Sequence, residues 1–225
     1  MFIVVEGIEG SGKSTLSEGL AQALSTEGHD VVRTREPGGT PISDAIRQLF
    51  LRSAFEMSPL TEGLLVNAAR AQHVSALIRP SLVSKLTVIC DRFTDSTMAY
   101  QGYGRGFDLD RLREICAIAT DGVEPDLTFV LDVPFEVLRD RIIGRPDELT
   151  LFAVKTSDAR PTKRLKDAAT IDRIEKEDEA FHNRVRRGFL ELAKSPKHHL
   201  LDGTMPREQL LKMALAKVHA LVGAA

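Results

Sequence analysis

An apolar run, Phe2-Ile3-Val4-Val5, leads into Gly7-Ile8-Glu9-Gly10-Ser11-Gly12-Lys13-Ser14-Thr15, and then Leu16, Leu20, Ala23 and Leu24 recur at helical spacing. A strand, a glycine-rich turn and a helix in that order commit the start of the chain to one geometry. Glycines let the turn close tightly, so that successive N–H groups converge on one point at a helix N-terminus. Such a point holds a polyphosphate. Lys13 can reach its β- and γ-phosphates, and the Ser14 hydroxyl can ligate Mg²⁺. Gly7, Gly10, Ser11, Gly12 and Thr15 complete the cradle.

Further apolar, β-branched runs lie at 30–33, 86–90 and 127–131, with a weaker one at 198–201. Stretches of helical period separate them. Ile42, Ile46, Leu49 and Phe50 share one face, Leu60, Leu64, Ala68, Ala71 and Ile78 another, and Leu109, Leu112, Cys116 and Ala119 a third. Strands alternating with helices predict an α/β fold with a parallel sheet covered on both faces. Ligands then bind beyond the carboxyl ends of the strands, so the residues just after each strand carry the information.

The chain has 225 residues and no internal repeat or low-complexity linker, which predicts one domain over 1–225. A formal charge of −2 argues against a nucleic-acid polymer as partner. No apolar run approaches the roughly 20 residues that span a bilayer, and no signal peptide is visible. Cys90 and Cys116 stand alone in apolar segments, without metal-ligand or disulfide spacing. A cytoplasmic setting is expected.

Behind the second strand comes Arg35-Glu36-Pro37-Gly38-Gly39-Thr40, a sharp turn with charge at the mouth of the sheet; such turns also occur in inert loops. Behind the third comes Asp91-Arg92. The carboxylate can hold Mg²⁺ and the guanidinium can fork onto phosphate oxygens, or the two form a structural ion pair. The stretch from Ser96 to Gly106 holds both tyrosines of the chain among hydroxyls, an amide and glycines. It suits the reading of a base or sugar, or is a flexible loop. Arg47, Arg70 and Arg79 sit on or beside helices facing the same mouth. Arg70 interrupts an alanine-rich face and can reach a second phosphate group, or lie along the surface with its head in water.

From Gly144 to Thr170 the pattern breaks, with Arg145, Lys155, Arg160, Lys163, Arg164 and Lys166 in an irregular stretch. Ile174, Phe181, Val185, Phe189 and Leu192 then resume a helical stripe to about 194. A last helix is expected from near Pro206 through Leu221.

Taken in order, Glu6 to Ser14, Arg35 to Thr40, Ala68-Ala69-Arg70, Asp91-Arg92-Phe93, Ser96 to Gly106 and Asp172-Arg173-Ile174-Glu175 resemble the bacterial thymidylate kinases, P-loop nucleoside monophosphate kinases. The resemblance covers residues 1 to about 195. It implies a five-stranded parallel sheet with helices on both faces, a lid segment and a homodimer. It also implies transfer of the ATP γ-phosphoryl group to dTMP with Mg²⁺, giving dTDP and ADP for dTTP synthesis. Lys13 and Ser14 would serve ATP and metal, with Asp91 beside the metal and Arg92 near the transferred group. Glu9 would lie near the acceptor 3′-hydroxyl. Arg70 would meet the acceptor nucleotide and its base, with Arg35, Pro37 and Arg47 near its phosphate. Thr97 and Gln101 would face the thymine edge, and Tyr100 would sit against C2′.

Two departures matter. The family places an aromatic four residues before the acceptor arginine, where it stacks on thymine, but here that position is Val66. A base–aromatic stack contributes on the order of 1–3 kcal/mol, so Val66 loosens thymine binding unless another ring, such as Phe93 or Tyr103, substitutes. The lid is also longer than usual, with an insertion across about 141–173. No cation precedes Lys13 in the loop, so a lid arginine is expected to act in catalysis: Arg141, Arg145 or Arg173, with Arg160 and Arg164 as further candidates. The competing readings are a nucleoside monophosphate or deoxynucleoside kinase of shifted base preference and a regulatory ATPase. A guanine-reading Asn-Lys-x-Asp stretch is absent.

Overall fold

The computed structural model describes residues 1–53, 56–138, 174 and 177–223. Five strands, β1 (Phe2–Gly7), β2 (Val31–Arg35), β3 (Thr87–Asp91), β4 (Leu127–Asp132) and β5 (His198–Asp202), form one parallel sheet. The parallel pairing is what the alternation of strands and helices predicts, and the strand order is β2-β3-β1-β4-β5. Every residue of central β1 is buried. Alternation along the strand sends Ile3 and Val5 to one face and Phe2 and Val4 to the other.

Helices cover both faces. On one side Ile3, Val5, Phe129 and Leu131 pack against Leu16, Leu20 and Leu24 of α1 (Lys13–Thr26). Leu210, Ala214 and Val218 of the C-terminal helix Arg207–Val222 join the same cluster. On the other side Phe2, Val4, Val88 and Cys90 meet Val74, Ile78 and Phe93. Edge strand β2 runs to Arg35, past the expected end at 33. Its pairing with β3 continues to Arg35 opposite Asp91, and its charged side chains are tolerated on a half-exposed edge.

The remaining helices start where local chemistry dictates. α2 (Pro41–Arg52) and α3 (Pro59–His73) each carry Pro in the first turn behind a hydroxyl cap, Thr40 accepting from Ser43 N and Ser58 from Thr61 N. α3 passes through a π-helical turn, Val74–Ile78, into α4 (Arg79–Val83). A short α5 (Thr94–Thr97) leads into a second π-helical segment, Met98–Gly104. α6 (Leu109–Thr120) is capped by Asp108 and α7 (Glu179–Leu192) by Asp178. The C-terminal helix is α8, with Pro206 as its cap residue.

The stretch 98–104 is thus helical, and its glycines serve packing. A Cβ on Gly102 would lie 2.4 Å from Leu109, and one on Gly104 would lie 2.7 Å from Phe181. Among the described residues, no helix is long and apolar enough to cross a membrane.

Candidate active site

The carboxyl ends of β1, β2 and β3 open onto a cleft between α2, α3 and the π-helical segment, as the switch-point rule for parallel sheets requires. The glycine-rich turn lies at the end of β1. Gly12, with φ 100°, is the N-cap of α1, and Gly10 is also left-handed at φ 75°. A Cβ on Gly7 would meet the Leu131 carbonyl at 2.6 Å, so only glycine permits the turn to leave the strand there. Lys13 is buried, and its Nζ donates to the Ile8 carbonyl at 2.7 Å. Burial, with Arg92 close by, pulls its ammonium below the ordinary lysine value. The Ser14 hydroxyl donates to Asp91 Oδ2 at 2.6 Å, joining the two expected metal ligands across the β1–β3 mouth.

Arg92 ties this loop to the cleft. Its Nη1 donates to the Gly7 carbonyl and to Ser96 Oγ, and its Nη2 to Glu9 Oε2 at 2.7 Å and Tyr100 Oη at 3.2 Å. The backbone of Arg92 is left-handed, φ 74°, a conformation costing about 1–3 kcal/mol that clusters where function fixes a side chain. Lys13, with Arg92 beside it, holds the Glu9 carboxyl down to about 2. Burial lifts the Tyr100 phenol to about 12, so it stays protonated beside the guanidinium.

Below Arg92, buried Glu6 braces the turn. One carboxylate oxygen accepts from Phe93 N and Ser96 N, the other from Ser96 Oγ. Burial, with Asp95 adding like charge, pushes Glu6 up to about 7.

Arg70 is 2 % exposed and forms the floor. Its Nε donates to Glu36 Oε2, Nη1 to Asn67 Oδ1 and Cys116 Sγ, and Nη2 to the Phe93 carbonyl and Thr97 Oγ1. Glu36 accepts the Arg70 bond on one oxygen and lies 3.0 Å from His73 Nδ1 on the other. Arg47 lines the cleft from α2 and donates to the Pro37 carbonyl at 3.0 Å.

The cleft gathers Glu9, Pro37, Arg47, Val66, Arg70, Arg92, Thr97, Tyr100 and Gln101 in its wall. Arg35 and Arg79 are not in that wall. Arg35 is exposed at the end of β2, and Arg79 pairs with Asp121. Arg141, Arg145, Arg160, Arg164 and Arg173 lie outside the described residues.

Among rings, Phe93 lines the cleft but stands edge-on to Phe2, with the Arg70 guanidinium over its face. Tyr103 packs its ring against Gly188 of α7 and is absent from the wall. Phe50, from the last turn of α2, shares with Val66 the same apolar cluster and the same wall, as does Tyr100. His182 of α7 also lines the cleft, stacked on Phe135. The helical stripe of α2 shows Phe50 facing inward. Its meeting with Val66 of α3 is a tertiary fact that no local spacing encodes.

A parallel sheet with this strand–loop–helix start, a cationic donor loop and a second, arginine-floored cleft across Arg92 defines an enzyme of the P-loop kinase class. Comparisons with known proteins agree. A family model described as thymidylate kinase matches residues 5–148. A thymidylate kinase of Geotalea daltonii is 42 % identical over 99 % of this chain and 98 % of its own length. One from Halothermothrix orenii is 43 % identical over 97 % of this chain and 96 % of its own. The crystal structure of the Ehrlichia chaffeensis thymidylate kinase aligns with a TM-score of 0.69 at 34 % identity, covering 97 % of both chains. The chain belongs to the thymidylate kinase family.

Proposed function

We propose that this protein transfers the γ-phosphoryl group of ATP to the 5′-phosphate of dTMP, giving dTDP and ADP, within one kinase domain over 1–225 with a lid at about 141–173. The observation that carries the reading is Arg92. One guanidinium bonds both the donor loop, through Gly7, and the cleft, through Glu9 and Tyr100. Phosphoryl transfer asks for alignment and for cations around spreading negative charge, and a group bridging both sites supplies both.

Lys13 and the N–H groups of Gly10, Ser11, Gly12, Ser14 and Thr15 take the ATP phosphates. The oxygen pair Ser14 and Asp91 would hold Mg²⁺, which would supply charge neutralisation to the polyphosphate. Arg47 beside Pro37 takes the acceptor phosphate. Arg70 has committed its N–H groups to protein partners, so contact with the acceptor exchanges one of them. Tyr100 and Glu9 take the sugar, and the Tyr100 ring disfavours a ribose 2′-hydroxyl. A lid arginine, Arg141 or Arg145, adds charge at the transferred group. Exposed Leu60 and Leu64 on α3 and Ile118 on α6 offer apolar surface for a homodimer. Two buried, unpaired cysteines accord with a reducing cytoplasm.

A panel of dTMP, dUMP, dCMP, dGMP and thymidine with Mg²⁺·ATP tests the reaction. We expect dTMP to give the highest kcat/KM and ATP alone to turn over slowly. A panel in which dTMP is not among the best acceptors, or in which ATP hydrolysis ignores the acceptor, refutes it.

A further inference from the structure

The dTMP-kinase reading leaves open how the cleft tells thymine from cytosine, and the inference below rests on that reading. Gln101 is 2 % exposed and lines the cleft beside Thr97 and Val66. A buried amide can present either its oxygen or its NH₂ to a ligand, and the two choices select opposite bases. Here the choice is made from behind. Gln101 Nε2 donates to Glu62 Oε2 at 3.0 Å. Glu62 is buried on α3, and its carboxylate pairs with Arg105, whose Nε lies 3.1 Å from Oε1 and 3.3 Å from Oε2. Arg105 is fixed in turn by Glu177 at 2.7 Å and by the Phe181 ring beneath its guanidinium at 4.7 Å.

A carboxylate paired with a guanidinium offers acceptors only. The amide NH₂ of Gln101 must therefore face Glu62, which turns Oε1 the other way, toward the cleft. We infer that Glu62 is a positioning residue for base recognition: it locks Gln101 with its oxygen outward, so that the cleft accepts a base with a ring N–H at that edge and rejects one with a ring acceptor there. Thymine and uracil carry such an N–H at N3. Cytosine carries a lone pair at N3, which would face the Gln101 oxygen lone pairs with both groups desolvated and unpaired. Glu62 is on α3 and Gln101 on the π-helical segment, so the packing of these two elements sets the polarity of the site.

The test is Glu62→Gln, assayed for kcat and KM with dTMP and dCMP and for KM with ATP. A neutral amide at 62 can donate or accept, which frees the Gln101 amide to flip. The expected result is a dTMP-over-dCMP preference in kcat/KM reduced roughly tenfold or more, chiefly through the dTMP KM, with the ATP KM unchanged. A merely structural role would lower both acceptors together, and an unchanged dTMP/dCMP ratio overturns the inference. If the variant does not fold, wild-type protein decides with N3-methyl-dTMP, which lacks the N–H. That analogue should compete with dTMP at least roughly tenfold more weakly than unlabelled dTMP does, and equal competition overturns the inference. Wild-type protein that ignores dTMP altogether refutes the underlying reaction instead, so the two failures are distinct.

Discussion

Position 66 shows how a ring can reach a cleft wall from an element other than the one a motif points to. Val66 removes the aromatic that family members place under thymine, yet the cleft keeps a ring, because Phe50 fills the neighbouring space from α2. Both side chains are under a tenth exposed and share one cluster, so their volumes are coupled. Phe50→Leu should therefore raise the dTMP KM by roughly three- to tenfold, within the range of a lost base–aromatic contact, and leave the ATP KM alone. Val66→Phe in the wild-type background should overpack and lower stability by about 1–3 kcal/mol. Combined with Phe50→Leu it should regain both stability and affinity. Acceptor KM values and thermal midpoints of the two single variants and the double variant check this, and strictly additive effects would show that the two positions are independent.

At the scale of elements, the π-helical segment Met98–Gly104 shapes one side of the cleft. It carries Tyr100 and Gln101 on the cleft side and presses its glycines against α6 and α7 on the other. A widened turn of this kind recurs at functional sites because it re-aims side chains that a regular helix would send elsewhere. Gly104 is the tightest test on the α7 side. A Cβ there would sit 2.7 Å from Phe181 and 2.8 Å from Val185, both buried and unable to yield. Gly104→Ala should cost about 1–3 kcal/mol by overpacking. It should also raise the dTMP KM, because displacement of α7 carries His182 in the cleft wall with it. Urea unfolding and acceptor kinetics on the same sample check both effects. Wild-type stability with intact KM would mean that Phe181 and Val185 make room without moving α7. The sequence showed glycines and polar residues here and left a flexible loop open as one reading. It could not show the π-helical turn, because close packing against α6 and α7 comes from residues far along the chain.

Across the whole molecule, the sheet carries one charge-bearing group into its core. Glu6 sits on the fully buried β1, and burial raises its folded value to about 7 from an ordinary 4.5. A raised carboxyl value means that the folded protein binds more protons than the unfolded chain between those two values. Stability from this group is therefore present below about 4.5 and is lost as pH rises through about 7. Glu6→Gln removes the titration and keeps an acceptor for the Phe93 and Ser96 amides. Relative to the wild type, the variant should gain stability between about pH 5 and about pH 8. Urea midpoints of both proteins across that range measure the difference, and parallel curves would show that Glu6 titrates normally.

Much of this protein is legible in its sequence. The glycine-rich turn, Lys13 and Ser14 follow from contiguous residues, because a strand, a turn and a helix start are local structures. The parallel sheet follows from alternating periods, and the cleft follows from the rule placing ligands at strand ends. Arg70 stands out from its alanine-rich helix face and Arg92 from its place just after a strand. Tertiary structure decided what those side chains face: that Phe50 stands beside Val66, that Arg35 stays outside the cleft wall, and that Glu62 turns the amide of Gln101. Glu62 and Gln101 lie 39 residues apart, and Glu9 and Arg92 lie 83 apart. Periodicity records which way a side chain points from its own backbone. Only the packing of elements against one another determines which distant side chain it meets, and with it the orientation of a donor or acceptor in the site.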